Sequence, residues 1–180
     1  MAVVGASPRD TSPGRAVLSN LRAAAFEGSI DLVNPRYAEI EGIKAVKTIQ
    51  DLPTPPDLVV IATPPQSVPG IVKAAGERGA AAAIIITAGL GHGAGSLADG
   101  CEKAARATGL RLVGPNCLGV LFLARKAQCQ LCGTHAAHRR SRSGIAVRRH
   151  HRGPDRMVGG AWYRVFGCRL AWRHDRCRSR

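Results

Sequence analysis

Short apolar runs rich in β-branched residues punctuate the first two-thirds of the chain, at residues 2–4, 30–33, 58–62, 82–87 and 110–113. Runs this short, apolar at consecutive positions, predict strands buried on both faces of a parallel sheet. Between them the spacing changes to that of helices with one apolar face. Ala16, Val17, Leu21 and Ala24 mark that face over 14–25. Val68, Ile71, Val72 and Ala75 mark it over 66–78, and Leu97, Cys101, Ala104 and Ala105 over 96–108. A weaker strand is expected near 44–47, ahead of a proline-rich connection at 52–56. Strand–helix alternation over about 115 residues predicts an α/β fold, a Rossmann-type parallel sheet with helices on both faces. Met1 leaves only three residues before Gly5, so the first strand reads as clipped or as starting upstream. Ligands of such sheets bind beyond the carboxyl ends of the strands, where the strand order reverses. That rule singles out the loops 5–14, 34–37, 63–65, 87–95 and 114–119.

The pattern stops at residue 121. Over 122–180, arginine falls in every register and no apolar face extends beyond one turn. An ordered loop of that length is unusual, so an irregular, largely disordered basic tail is expected. The tail also changes the meaning of the net charge. A value of +14 suggests a nucleic-acid or anionic-membrane partner. Residues 1–121, however, hold 11 Lys and Arg against 10 Asp and Glu, whereas 122–180 hold 15 against 2. Five of the six histidines and four of the six cysteines fall in the tail as well. No stretch has the length of a membrane span or the character of a signal peptide. The chain therefore reads as cytoplasmic, with Cys101 and Cys117 as free thiols.

Several strand-end loops carry candidate chemistry. The turn Gly5-Ala6-Ser7-Pro8-Arg9-Asp10-Thr11-Ser12-Pro13-Gly14 follows a strand and opens a helix. Gly5 permits a tight turn and Gly14 a close backbone approach, leaving helix N–H groups free for a phosphate. Ser7 and Ser12 add hydroxyl donors. Neither the Gly-x-Gly-x-x-Gly fingerprint nor a P-loop is present, and an ordinary turn is the rival reading. Asn34-Pro35-Arg36-Tyr37 closes the second strand, where dinucleotide folds carry an acid for a ribose hydroxyl. Asn34 and Arg36 there disfavour NAD and favour a phosphorylated ribose, since the Arg36 fork matches a phosphate. A solvated arginine on an Asn-Pro turn fits that tetrapeptide equally well.

Thr63-Pro64-Pro65 and Thr87-Ala88-Gly89 close buried strands at the same edge, because proline cannot continue a ladder. Gly114-Pro115-Asn116-Cys117 ends the last strand. His92, in the glycine-rich loop, reads as a surface residue, and Cys117, with no partner base, as a buried structural thiol. No catalytic residue is assigned. Cys129, Cys132, His135 and His138 have metal-ligand spacing but belong to the tail, and no metal is expected.

Five motifs in order resemble one family: Val3-Val4-Gly5-Ala6-Ser7-Pro8, Val33-Asn34-Pro35-Arg36-Tyr37, Ile61-Ala62-Thr63-Pro64-Pro65, Ile86-Thr87-Ala88-Gly89 and Val113-Gly114-Pro115-Asn116-Cys117-Leu118-Gly119. Residues 1–121 resemble the N-terminal CoA-binding domain of NDP-forming acyl-CoA synthetases, relatives of the succinyl-CoA synthetase α-subunit. The likeness is to acetate–CoA ligase-like proteins, some of which end in a GNAT-type acetyltransferase domain. It implies coenzyme A as the cofactor, with Gly5, Ser7, Pro8 and Arg9 near its phosphates. Asn34, Pro35 and Arg36 would lie near the nucleotide end, and Thr87, Ala88 and Gly89 near the pantetheine arm. Ser12, Gly14, Thr63, Pro64, Pro65 and Asn116, from the same loops, complete the expected site. In the intact family an acyl phosphate forms, its phosphoryl group passes through a phosphohistidine of a later domain, and CoA takes the acyl group. His92 does not correspond to that histidine. Expected partners besides CoA are a flavodoxin-like second domain and an ATP-grasp domain or subunit.

That second domain begins, in the family, with a strand and phosphate turn reading roughly LVSQSGA, which this chain lacks. Residues 145–151 can nevertheless be encoded as ATC GCA GTC CGG CGC CAT CAC, and reading one base later gives SQSGAI. The same offset, carried to Ser179 with permitted codons, continues into family-like strands and a helix; residues 126–132 can be read as KLNASF. A shift of reading frame near 121–126 is therefore expected, with an out-of-frame tail after a 1–121 domain. The chain would then be a fragment that binds CoA without completing ligation. The rivals are a CoA-binding regulatory domain of a protein acetyltransferase, a nucleic-acid-binding protein using the Arg-rich tail, and an NAD-dependent oxidoreductase. The second predicts steeply salt-dependent binding, and the missing fingerprint disfavours the third.

Overall fold

The computed structural model describes residues 1–122, 127–130 and 145–149. Seven strands form the main sheet: β1 (Ala2–Val4), β2 (Asp31–Val33), β3 (Glu39–Ile40), β4 (Ile43–Val46), β5 (Leu58–Ile61), β6 (Ala82–Ile85) and β7 (Arg111–Val113). Their order is β3-β4-β2-β1-β5-β6-β7. Every pairing is parallel except the β3–β4 hairpin. Without β3, this is the doubly wound order: the chain runs outward from β1 on one side, then crosses to β5 on the other. Helices α1 (Pro13–Ala23), α2 (Val68–Glu77) and α3 (Leu97–Thr108) make crossovers.

The consecutive apolar runs work as the pleat requires. Val59 and Ile61 join Val68 and Val72 of α2 and Cys101 and Ala105 of α3 in one core layer. Val60, between them in sequence, joins Val3, Val17, Leu18 and Leu21 on the opposite face. Successive strand side chains point to opposite sides, so a run buried throughout needs cover on both. The helix ends follow local chemistry. Pro13 sits in the first turn of α1, where a missing N–H costs nothing. Ser96 caps α3 by accepting from the Asp99 N–H at 3.1 Å, and Gly109 ends it with φ +72°.

Two features differ from the sequence-based expectation. The β3–β4 hairpin extends the sheet beyond the weak strand, turning through Glu41 and Gly42, both at positive φ. Glu41 also pins the hairpin to α1, accepting from Arg15 and Arg22 at 3.0 Å each. Secondly, residues read as loop and tail contribute strands. β8 (Cys117–Phe122), β9 (Ala127–Gln130) and β10 (Ile145–Arg149) form an antiparallel sheet in the order β10-β8-β9. Pro115 and Gly119 made this stretch look like a loop; pairing on both edges, with β9 and with β10, makes it a strand.

Cys129 of β9 is buried with its sulfur 3.6 Å from that of Met1, and burial pushes its thiol up to about 12. Cys101, Cys117 and Cys129 are buried and form no disulfide. Cys132, His135, His138 and the rest of the expected disordered tail lie outside the described residues. Among the described residues, no helix is long and apolar enough to cross a membrane.

Candidate functional site

The strand order reverses between β1 and β5, and the turn after β1 passes directly over the end of β5. Gly5 makes this possible. Its φ is +92°, and a Cβ there would lie 2.5 Å from the Ala62 carbonyl oxygen and 2.9 Å from Thr63 Cγ2. Any side chain would collide with backbone that cannot move aside. Gly14 has a related purpose. A Cβ on it would lie 2.6 Å from the Gly5 carbonyl oxygen and 2.7 Å from Ala6 Cα, so its close approach is to the turn itself. The helix therefore starts directly against the strand end. Arg15 fastens the outer part of the turn, donating to the Pro8 carbonyl and pairing with Asp10 at 2.9 Å.

Asn34 joins this turn to the next loop. It is buried; its Nδ2 donates to the Ala6 carbonyl at 2.6 Å, while its Oδ1 accepts the Arg36 N–H at 2.8 Å. The amide thus works within the protein and holds the backbone of Arg36 at the cleft.

Two clefts open along this edge. The larger, about 580 Å³, is lined by Gly5, Ser7 and Arg9 of the first turn and by Asn34, Pro35, Arg36 and Tyr37 after β2. Lys47, Thr48 and Gln50 line it after β4, Ala62, Thr63 and Pro64 after β5, and Gln66, Ser67, Gly70 and Ile71 near the start of α2. Arg9, Arg36 and Lys47 are its only charged lining residues. None of the ion pairs among the described residues engages them. The smaller cleft, about 370 Å³, is lined by Pro13, Ala62, Thr63, Ile86, Thr87, Ala88, Asn116, Cys117 and Leu118, with no charged side chain. Both volumes fall in the range of small-molecule sites.

The clefts meet at Ala62 and Thr63. Thr87 Oγ1 donates to the Thr63 carbonyl at 2.7 Å, and Ser67 Oγ donates to Thr63 Oγ1 at 2.9 Å. The Asn116 N–H donates to the Thr87 carbonyl at 3.0 Å. Strand ends and the start of α2 are therefore tied at the junction. A long ligand with an anionic head and a neutral arm matches this sequence of surfaces.

The candidate residues divide accordingly. Gly5, Ser7, Arg9, Asn34, Pro35, Arg36, Thr63 and Pro64 come together in the larger cleft, and Thr63, Thr87, Ala88 and Asn116 in the smaller. Pro8, Ser12, Gly14, Pro65 and Gly89 line neither. Pro8 and Gly14 shape the turn, Ser12 is the uncapped residue before α1, and Pro65 opens a short 3₁₀ turn ahead of α2. Lys47 was missed, as were Tyr37 and the α2 residues. A lysine after a weak strand is unremarkable until the strand order sets it beside Arg36. His92 is exposed and lines neither cleft. Among the described residues, no group of His, Cys, Asp and Glu could hold a metal ion.

Comparison with known proteins gives a consistent result. The family model described as CoA binding domain matches residues 1–122. An ADP-forming acetate–CoA ligase of Methanocaldococcus jannaschii is 38% identical over 122 residues, 67% of this chain and 17% of that protein. A trans-feruloyl-CoA synthase from an unknown prokaryotic organism is 34% identical over 170 residues, 85% of this chain and 24% of that protein. A solved dinucleotide-forming acetyl-coenzyme A synthetase of Candidatus Korarchaeum cryptofilum, in complex with phosphate and ADP, superposes with a TM-score of 0.67 at 30% identity. That match covers 72% of this chain and 29% of the other. The chain thus spans about a sixth to a quarter of the curated relatives described.

Proposed function

Because the chain belongs to the CoA binding domain family, we propose that it holds coenzyme A across the two clefts for an ADP-forming acyl-CoA ligase. The phosphates of CoA lie in the larger cleft, over the Gly5 turn and the cations. The pantetheine arm crosses Thr63 into the smaller cleft, beside Thr87, Ala88 and Asn116. The carrying observation is the charge contrast: three cations without a carboxylate on one side of Thr63, no charge on the other. Basic groups and backbone donors suit phosphates, whereas the neutral wall suits an amide-containing arm. The reading puts no reacting residue in this domain and assigns acyl activation and nucleotide chemistry to further segments, a flavodoxin-like domain and an ATP-grasp domain or subunit. It also places the protein in the cytoplasm, where cysteines outside disulfides, such as Cys101 and Cys117, persist.

Calorimetric titration of the full chain with CoA, NAD and NADP tests this reading. CoA should bind and NAD should not; a folded chain that does not bind CoA would overturn the assignment.

Residues 122–180 belong to the same proposal as out-of-frame sequence after a 1–121 domain. The charge balance breaks at 121 and the family match ends at 122. Alignment with the trans-feruloyl-CoA synthase runs further, and the frame of those further codons is what gene sequencing across codons 115–130 reads. A one-base offset is expected; an uninterrupted frame with independent support for the tail would end the idea.

A further inference from the structure

The turn after β1 is fixed at both ends and open between them. Gly5 donates its N–H to the Val33 carbonyl at 3.0 Å, and Gly14 packs on Gly5 and Ala6. Pro8, Arg9, Asp10 and Thr11, in between, are exposed. Near the helix the Ser12 N–H donates to the Arg9 carbonyl at 3.0 Å. Arg15 supplies the side-chain ties. Its Nη1 donates to the Pro8 carbonyl and pairs with Asp10 at 2.9 Å, while its Nε pairs with Glu41 at 3.0 Å. Glu41 sits at the tip of the β3–β4 hairpin with φ +52°. Arg22 holds it there, reaching its Oε2 at 3.0 Å and its carbonyl at 2.6 Å. One edge of the Arg15 fork thus faces the hairpin and the other faces the turn. Arg15 and Glu41 line neither cleft, whereas Ser7 and Arg9, on either side of Pro8, line the larger one.

We propose that Arg15, aligned by Glu41, is a positioning residue that presets the turn after β1, so that Ser7 and Arg9 stand at the larger cleft before CoA arrives. A loop left free has to be ordered when the ligand binds, and that ordering subtracts from affinity. Only a planar fork with donors on two edges spans hairpin and turn together; a lysine in its place brings a point charge alone. The hairpin, which lies outside the doubly wound order, thereby takes part in ligand binding at one remove. The inference rests on the CoA reading above and adds how its phosphate turn is kept ready.

The test is a double-mutant cycle read by calorimetric titration of the full chain with CoA, each variant shown to be folded by circular dichroism. Arg15→Ala should weaken CoA about five- to tenfold. Arg15→Lys should weaken it nearly as much, and it carries the same cycle if alanine unfolds the chain. Arg9→Gln should cost about fivefold in the unmodified chain but about twofold or less once Arg15 is replaced, because an unpositioned Arg9 has less to lose. A role confined to stability leaves the Arg9 effect the same in both backgrounds. Equal Arg9 effects, or an Arg15→Lys chain that binds CoA like the unmodified one, overturn the positioning role and leave the CoA reading intact. A folded unmodified chain that binds no CoA overturns that reading, and the positioning role falls with it.

Discussion

Both clefts are built from loops that follow buried strands, yet the one over β1, β2 and β4 carries Arg9, Arg36 and Lys47, whereas the one over β5, β6 and β8 carries no charged side chain. The strands cannot make this difference, because almost all their side chains are committed to the two core layers. It arises in the first few residues past each strand. The same layered framework therefore supplies two chemically distinct surfaces, joined at Thr63, and on the proposed reading the charge step between them orients CoA.

The contrast can be broken most severely at its origin. Gly5→Val would drive a side chain into the Ala62 carbonyl at a backbone conformation valine avoids. A loss of roughly 3 kcal/mol or more in urea unfolding is expected, with no measurable CoA binding. Normal stability in that variant would remove the steric account of the turn. A more selective break fills only the neutral cleft. Ala88→Phe should weaken CoA by about tenfold or more while leaving 3′,5′-ADP, which lacks the arm, within about twofold. Equal losses for both ligands would show that the clefts do not divide head from arm.

Smaller effects sharpen the charged side. Glu41→Gln weakens the ties of the hairpin to Arg15 and Arg22, both partly exposed. It should cost about 0.5–1 kcal/mol in chemical denaturation, since such pairs are screened by solvent. The smallest effect lies beyond the neutral cleft, at the start of α3. The hydrogen bond from Lys103 and then the N–H of Gly95 hold the Asp99 carboxyl below its ordinary 3.8. A group depressed on folding contributes stability that is present at neutral pH and fades as acid carries the protein down through its lowered midpoint. NMR titration of the Asp99 carboxyl carbon should give a midpoint below 3.8, and Lys103→Met should raise it.

Much of the fold was legible in the sequence because runs such as Leu58-Val59-Val60-Ile61 make sense only between two layers. The helices showed equally clearly, through spacings such as Val17 to Leu21. What escaped reading depended on strand pairing rather than on hydrophobic runs, local for β3 and more distant for β10. β3 has two residues and exists through its antiparallel pairing with β4. β8 contains Gly119 and follows Pro115, yet pairs on both edges with β9 and β10. At the site, Gly5 and Arg36 could be found because they follow strong strands. Lys47 follows a weak one, and its meaning depends on β4 lying next to β2. Gly14 was legible as a necessary glycine, although its close neighbour is the turn backbone.

Asn34 gives the larger cleft one more property. Its single buried amide bonds the turn after β1 and the loop after β2, so neither loop rearranges without straining the other. On the proposed reading, a phosphate that settles one loop would settle both. By thermodynamic linkage the benefit is reciprocal: a group bound at the Gly5 turn favours one bound beside Arg36 to the same degree that the second favours the first. On the proposed reading the two phosphate positions would be coupled through a side chain that need not touch the ligand.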